Sequence, residues 1–206
     1  MDIKMLIQNI RKRPASFLGC EKIIPLMHFL NGYKWAEYES NNGVFHNIIP
    51  LDFYYFSAYI SIKTNASNNC GWCNNILRYC NGDEHKALNC FFDFYDDFCE
   101  VKAEYFIKSV LTPENISFNN NMEIAYRVKN NQKIPIYSEP ISVYIIKLNF
   151  SAYLIAVETQ KNIVCETELF TSTKKAMEYL SHFFGKIELG NKNIKSIEFE
   201  KDIIIQ

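Results

Sequence analysis

The cysteines of one stretch have the residue types, and part of the spacing, of a zinc site. Cys70 and Cys73 form a C-x-x-C pair, and Cys80, His85 and Cys90 follow it. Thiolate and imidazole are ligands that zinc prefers, but structural sites usually contain a second close pair of ligands, which does not follow here. A redox C-x-x-C opens a helix directly after a strand of a βαβ unit, and no such strand precedes this one. The alternatives are therefore a metal site or reduced cysteines that serve as small apolar side chains; we expect no cofactor.

A second group with possible chemistry is a series of carboxylates at helical spacing. Its members are Asp93, Asp96, Asp97, Glu100 and Glu104. Leucine and aromatic residues at positions 88, 91, 92, 95 and 98 form an apolar stripe in the same segment. We predict one amphipathic helix from Glu84 to about Val110, with Asp83 as its N-cap and the carboxylates on its exposed face. Such a face is a solvated surface, a divalent-cation site if it lines a cleft, or a contact surface for a basic protein.

A basic run, Arg11, Lys12 and Arg13, precedes Pro14 and offers cations for a phosphate. The formal net charge of −1 gives no general attraction for nucleic acid. Apolar residues at positions 3, 6, 7 and 10 predict a helix that ends before the proline. The basic residues then lie at the helix C-terminus, where cations are favourable.

Motifs for catalysis are missing from the sequence. It contains neither a Gly-rich phosphate loop nor a G-x-S-x-G nucleophile motif. The stretch IRKRPASFLG is similar to a signature of GHKL ATPases, but the D-x-G-x-G motif of that family is absent. We therefore expect a protein that is not an enzyme, and the remaining alternative is an enzyme whose site has no recognisable motif.

The pattern of elements predicts an α+β protein. Residues 1–111 form a helical region, and residues 112–206 form an antiparallel sheet with a helix packed on it, together as one unit. Apolar, β-branched runs at 141–148, 153–160 and 163–170 are separated by short turns and predict a β-meander. Thr171 is predicted to cap the helix that follows, Gly185 to end it, and residues 194–205 to contain one more strand.

The sequence also indicates a compartment. Its most apolar segments are much shorter than the roughly 20 residues that span a bilayer, and its cysteines are odd in number and scattered. We predict a cytoplasmic protein that binds neither membrane nor nucleic acid.

Three short motifs lie in the two halves of the chain. The first motif comprises Lys12, Arg13, Pro14, Leu18, Gly19, Phe29, Gly32, Tyr33 and Ala36. The second comprises Gly71, Trp72, Gly82, Asp83, Glu84, Ala87, Phe91, Phe92 and Phe98. The third comprises Phe170, Thr173, Ala176, Tyr179 and Leu180. In this order the motifs resemble those of immunity proteins of bacterial polymorphic toxin and contact-dependent growth inhibition systems. The chain departs from the pattern of these proteins at Ala15, where glycine is more usual.

This resemblance implies a non-catalytic inhibitor that binds and neutralises a cognate toxin C-terminal domain. If the toxin is a basic nuclease, the predicted contact residues are the five carboxylates at positions 93, 96, 97, 100 and 104. The alternative function is a zinc-stabilised nucleic-acid or protein adaptor that uses the Cys70–Cys90 cluster. The sequence leaves the oligomeric state open.

Overall fold

The structure is a computed structural model that describes residues 2–41, 44–45, 51–121, 126–129, 132–135, 137–194 and 202–205. Side chains are described for residues 2–36, 51–119 and 137–194. The chain divides into two units. The first contains Met1–Gly43 and Pro50–Val101, and the second contains Val44–Ile49 and Lys102–Gln206.

The first unit is helical. Its helices are α1 (Ile3–Lys12), α2 (Pro14–Leu18), α3 (Ile23–Asn41), α4 (Phe56–Lys63), α5 (Gly71–Tyr79) and α6 (Glu84–Cys99), with short 3-10 turns at Phe53–Tyr55 and Asn68–Cys70. Pro14 occupies the first position of α2, where its missing N–H costs no hydrogen bond. The Asp83 carboxylate accepts a hydrogen bond from the Lys86 amide at 2.9 Å, so the predicted N-cap of α6 is confirmed.

Aromatic side chains build the core of this unit. Phe56 of α4 is fully buried and contacts rings of α5 and α6, among them Trp72 at 5.9 Å and Phe91 at 5.3 Å between centroids. Most of these contacts are edge-to-face, the arrangement that aromatic pairs prefer. Because Phe91, Tyr95 and Phe98 of α6 all point into this cluster, the opposite side of α6 is left to solvent.

The second unit is a sheet with helices. Its strands are β1 (Val44–Phe45), β2 (Ala103–Val110), β5 (Pro140–Leu148), β6 (Tyr153–Thr159), β7 (Asn162–Cys165), β8 (Lys192–Asn193) and β9 (Asp202–Ile205). They are ordered β1-β9-β7-β6-β5-β2-β8, and β7 and β9 are parallel whereas the other neighbours are antiparallel. A separate two-stranded sheet is formed by β3 (Tyr126–Lys129) and β4 (Gln132–Pro135).

The described residues of the second unit also form the helices α7 (Pro113–Asn121) and α8 (Thr173–Phe184). Buried Ala176, Leu180 and Phe184 of α8 join one apolar cluster with Val143, Ile145, Ile155 and Val157 of β5 and β6. The α+β class is therefore confirmed, with helices in the N-terminal half and an antiparallel meander covered by a helix in the C-terminal half.

Several element boundaries differ from those predicted. The helix predicted to continue to Val110 ends at Cys99, and residues 103–110 form β2, which pairs with β5 along most of its length. The aromatic and β-branched residues of β2 favour a strand, and pairing with the distant β5 stabilises it. The helical spacing of apolar residues does not reveal this pairing. As a result, the two units meet in sequence at Val101 and Lys102, before the boundary expected between residues 111 and 112.

Smaller differences concern the C-terminal half. The N-cap of α8 is Ser172, whose hydroxyl accepts from the Lys175 amide, and not the predicted Thr171. Helix α7 lies in an Asn-rich segment for which no element was predicted. Gly185 follows the last residue of α8 with φ of 65°, as its predicted role requires. The predicted last strand is present at residues 202–205, while residues 195–201 lie outside the described residues.

Candidate functional site

Helix α6 exposes the predicted carboxylates on the side away from its aromatic core. The side chains of Asp93, Asp96 and Asp97 are 77%, 61% and 66% exposed. Glu100 follows as the C-cap residue, and its amide bonds to the carbonyl of Asp97 at 3.2 Å. We call Asp93, Asp96, Asp97 and Glu100 the acidic face.

Glu104 is not part of the acidic face, which corrects the prediction of five carboxylates on one helix. It lies on β2, in the second unit, where its carboxylate is 3.5 Å from the ammonium of Lys147 on β5. Its position at helical spacing after Glu100 is a coincidence of sequence, because the helix has already ended at Cys99.

Cations from two other helices approach the acidic face. Arg11, in the last turn of α1, contacts Asp96 at 2.5 Å and Asp93 at 3.5 Å, and its guanidinium lies 5.4 Å from the centre of the Phe92 ring. Lys63, the last residue of α4, is 3.9 Å from Asp97. Arg11 and Lys12 lie at the C-terminal end of α1, as predicted, but Arg11 pairs with the carboxylates of α6.

A groove of about 340 Å³ runs beside these ion pairs, between α1 and α6. Its walls combine charged, polar and aromatic side chains, including Lys4, Gln8, Arg11, Tyr95, Asp96 and Glu100. Tyr95 is buried, as expected for a member of the apolar stripe of α6, and it contributes only the floor of this groove.

An aromatic pair borders the other edge of the acidic face. Tyr79, at the end of α5, is 59% exposed, and its ring packs edge-on against Phe94 of α6 at 5.6 Å. Phe94 follows Asp93 directly in α6. Phe94 is half-buried, so Tyr79 is the exposed member of the pair. An exposed tyrosine at the edge of a charged patch is a residue type that carries binding energy in protein interfaces. Sequence spacing does not reveal this pair, because its exposure depends on how α5 packs against α6.

The cysteines of the predicted cluster do not converge on one point. Buried Cys73 faces the carbonyl of Ile23 at 3.9 Å, and Cys70 contacts Arg78 at 3.4 Å. Only Cys80 and Cys90 meet, with their sulfur atoms 3.3 Å apart. Across the residues that the structure describes, no group of three or more His, Cys, Asp or Glu side chains could hold a metal ion.

The imidazole of His85, the remaining candidate ligand of that cluster, points elsewhere. It lies 3.2 Å from the carboxylate of Glu21 and is exposed. Histidine and the C-x-x-C cysteines therefore have separate partners.

The second unit contains a carboxylate held by three donors. Glu158 on β6 accepts hydrogen bonds through Oε2 from Ser142 at 2.6 Å, Tyr144 at 2.9 Å and Lys108 at 3.1 Å. Burial alone raises the pKa of Glu158, but these donors outweigh it and lower the pKa to about 2. The group is therefore a fixed anion that joins β2, β5 and β6, and it is a poor general acid or base near neutral pH.

Another carboxylate, that of Glu166, is buried and lies just after β7. Its two oxygens accept hydrogen bonds from the hydroxyls of Tyr137 and of Tyr179, the latter at 2.7 Å. Burial raises the pKa of Glu166, although the two bonds offset part of that rise. Tyr179 also lines a surface groove of about 420 Å³, with Lys175, Glu178 and His182. Because both carboxylate oxygens are bonded within the unit, the arrangement anchors β7 to α8.

None of the helices in the described parts of the chain has the length and apolar character that crossing a bilayer requires. Comparison of the chain with protein families, with curated proteins and with solved structures finds no match in any of the three.

Proposed function

We propose that this chain is an immunity protein, a non-catalytic cytoplasmic inhibitor that binds a cognate bacterial toxin domain and neutralises it. The similarity of its sequence motifs to those of immunity proteins suggests this function. The acidic face of α6 is the structural observation that carries the proposal, because it offers exposed carboxylates on a helix whose other side is fixed by an aromatic core.

Charge on this face favours a basic partner. Arg11 and Lys63 pair with Asp93, Asp96 and Asp97, and these three carboxylates outnumber the two cations, so negative charge remains in excess. Complementary charge speeds association and orients the partners as they meet. A toxin domain that acts on nucleic acid carries basic residues at its active site, and a tightly bound acidic helix would occlude that site.

Apolar contact is also needed, because exposed ion pairs alone contribute little affinity. Tyr79 and Phe94 lie beside the acidic face and present aromatic surface. We assign the toxin contact to the acidic face together with this pair. Of the five carboxylates predicted from the sequence, Glu104 is left out of the contact because it lies on β2.

Co-expression with the toxin domain encoded beside this chain tests the proposal. The wild-type chain is expected to protect the cells and to co-purify with the toxin domain in a stoichiometric complex. A variant with both Asp93→Asn and Asp97→Asn is expected to associate more slowly, with a weaker dependence of the rate on salt. Tyr79→Ala is expected to speed dissociation.

The matched control removes the same charge from the second unit. Glu178 is 61% exposed on α8, and Glu188 is exposed shortly after that helix. The variant with Glu178→Gln and Glu188→Gln should associate at the wild-type rate apart from a small effect of net charge. Absence of a complex and of protection with the wild-type chain would refute the function itself. Equal slowing in both double variants would refute only the assignment of the contact surface.

A further inference from the structure

Two thiols of the first unit lie within reach of each other. Cys80 is the C-cap residue that follows α5, Cys90 lies in α6, and the Cys80 thiol donates a hydrogen bond to the Cys90 sulfur at 3.3 Å. A short turn joins the two helices, and the Asp83 cap fixes the start of α6 within that turn. Both sulfur atoms are therefore held in position by backbone structure and not by a flexible loop.

The surroundings make the two thiols unequal. Cys80 is 2% exposed, and burial together with the hydrogen bond to Cys90 raises the pKa of its thiol to about 11. Cys90 is partly exposed. An oxidant in solution therefore reaches Cys90 first, with Cys80 directly behind it.

We propose that Cys80 and Cys90 form a reversible disulfide on exposure to hydrogen peroxide, which makes this helical hairpin a site of redox modification. The Cys90 sulfur attacks one peroxide oxygen and the O–O bond breaks; the other oxygen takes the thiol proton of Cys90 and leaves as water, and Cys90 becomes a sulfenic acid. The Cys80 sulfur then attacks the Cys90 sulfur and breaks its S–O bond; the sulfenic oxygen takes the thiol proton of Cys80 and leaves as water. Two thiols lose two electrons in total, and one peroxide is reduced to two waters. A dithiol reductant reverses the modification by exchange.

The bond would join α5 to α6 at a specific place. Tyr79 precedes Cys80, and Phe94 lies one turn after Cys90, so the disulfide would close beside the aromatic pair that borders the acidic face. The inference does not depend on the proposed function, because it concerns only the chemistry of the two thiols.

Peptide mapping of the full chain tests the proposal. The reduced, folded protein is treated with hydrogen peroxide, its remaining thiols are blocked, and it is digested with trypsin without reduction. Cleavage after Arg78, Lys86 and Lys102 places Cys80 in peptide 79–86 and Cys90 in peptide 87–102, while Cys70 and Cys73 share peptide 64–78. We expect a cross-link between peptides 79–86 and 87–102, and two fewer titratable thiols per chain, both reversed by a dithiol.

Cysteine variants assign the bond, because peptide 87–102 also contains Cys99. The cross-link should persist in Cys99→Ser and vanish in Cys90→Ser, in which the changed residue is partly exposed, so the variant is expected to fold. A cross-link that vanishes in Cys99→Ser would overturn the proposal. So would cross-links to peptide 64–78 in equal amount, or oxidation of Cys90 to a sulfinic acid with no cross-link formed.

Discussion

Arg11 donates a hydrogen bond to Asp96 at 2.5 Å, joining residues that are 85 positions apart in the sequence. The contact brings the basic run at the start of the chain onto the acidic face of α6. From the sequence, the basic run suggests binding of a phosphate and the carboxylates of α6 suggest binding of a basic protein. In the structure, Arg11 of the basic run instead pairs with these carboxylates. The charge that this face offers to another molecule is the carboxylate charge that Arg11 and Lys63 leave uncompensated.

Removal of Arg11 should strengthen electrostatic attraction to a basic partner. Arg11→Gln takes one positive charge from the acidic face, and we expect association with the cognate toxin domain to become about twofold to threefold faster at low salt. The free energy of unfolding should fall by less than about 1 kcal/mol, because the Arg11 side chain is 45% exposed and such pairs are screened. Stopped-flow association rates at several salt concentrations measure the first effect, and urea unfolding the second.

Lys12→Gln is the control for this prediction, because it removes the same charge from an exposed neighbour in α1. Its association rate should change less than that of Arg11→Gln. Equal changes would mean that net charge, and not the acidic face, governs association.

The hydrogen bonds to Glu158 should appear as acid sensitivity of the second unit. The folded-state pKa of about 2 lies below the ordinary value of 4.5, so the stabilisation is fully present above pH 4.5 and is lost as the pH falls towards 2. Glu158→Gln should lower the free energy of unfolding by roughly 1–2 kcal/mol at neutral pH, since charge-assisted bonds are lost but the site is partly exposed. Urea unfolding at a series of pH values should show this difference shrinking below pH 4.5. A difference that is independent of pH would contradict the prediction.

The contribution of Glu166 to stability should depend on pH in the opposite direction to that of Glu158. Its pKa is raised in the folded state by burial, so its contribution to stability is greatest below the ordinary value of 4.5 and decreases as the pH rises through the folded-state pKa. Glu166→Gln cannot ionise, and its stability relative to wild type should therefore increase as the pH is raised above 4.5. Glu158→Gln is the control, because its difference from wild type is expected to stay constant above pH 4.5. A constant offset between Glu166→Gln and wild type across this range would disprove the assignment.

Two glycines should respond in opposite ways to the same substitution. A Cβ atom at Gly190 would lie 1.9 Å from the backbone carbonyl oxygen of Lys108, so Gly190→Ala must displace the segment that packs on β2. We expect a loss of about 1–3 kcal/mol in the free energy of unfolding. Gly32 lies within α3 with nothing within 4 Å of its Cβ position, and Gly32→Ala should stabilise by about 0.5–1 kcal/mol. Thermal unfolding of both variants measures whether each substitution stabilises or destabilises the protein. If Gly190→Ala does not lower stability, the close approach of Gly190 to the Lys108 carbonyl is not required.

Local signals were sufficient for much of the fold. The Asp83 cap, the apolar stripe of α6, the first two runs of the meander and the glycine after α8 are all features of neighbouring residues, and each appears as predicted. The third run, predicted at residues 163–170, forms the shorter strand β7. Helix α7 shows the limit of such signals, because its asparagines are stabilised by distant partners. The Asn115 amide donates to the carbonyls of Phe184 and Lys186, and the Asn119 amide donates to the carbonyl of Tyr137.

The sequence likewise predicts the part of the candidate site that lies within one helix, but not the part that depends on packing between elements. The carboxylates of α6 follow from helical spacing, but Glu104 satisfies that spacing while belonging to a strand whose pairing is decided by residues 140–148. Arg11, Tyr79 and the Cys80–Cys90 contact depend on how helices pack, and no pattern within one segment encodes that packing.

The edge of the main sheet has a consequence for how the chain folds. Strand β1 pairs with β9, with Val44 opposite Ile204, so the chain that forms α4, α5 and α6 lies in sequence between two strands that are neighbours in space. Such a contact closes a very long loop, which carries a large entropic cost and forms late. We therefore expect α4 to α6, whose contacts with one another are local, to acquire protection from hydrogen exchange before β1 joins the sheet. The same edge should be the first to open in the folded protein.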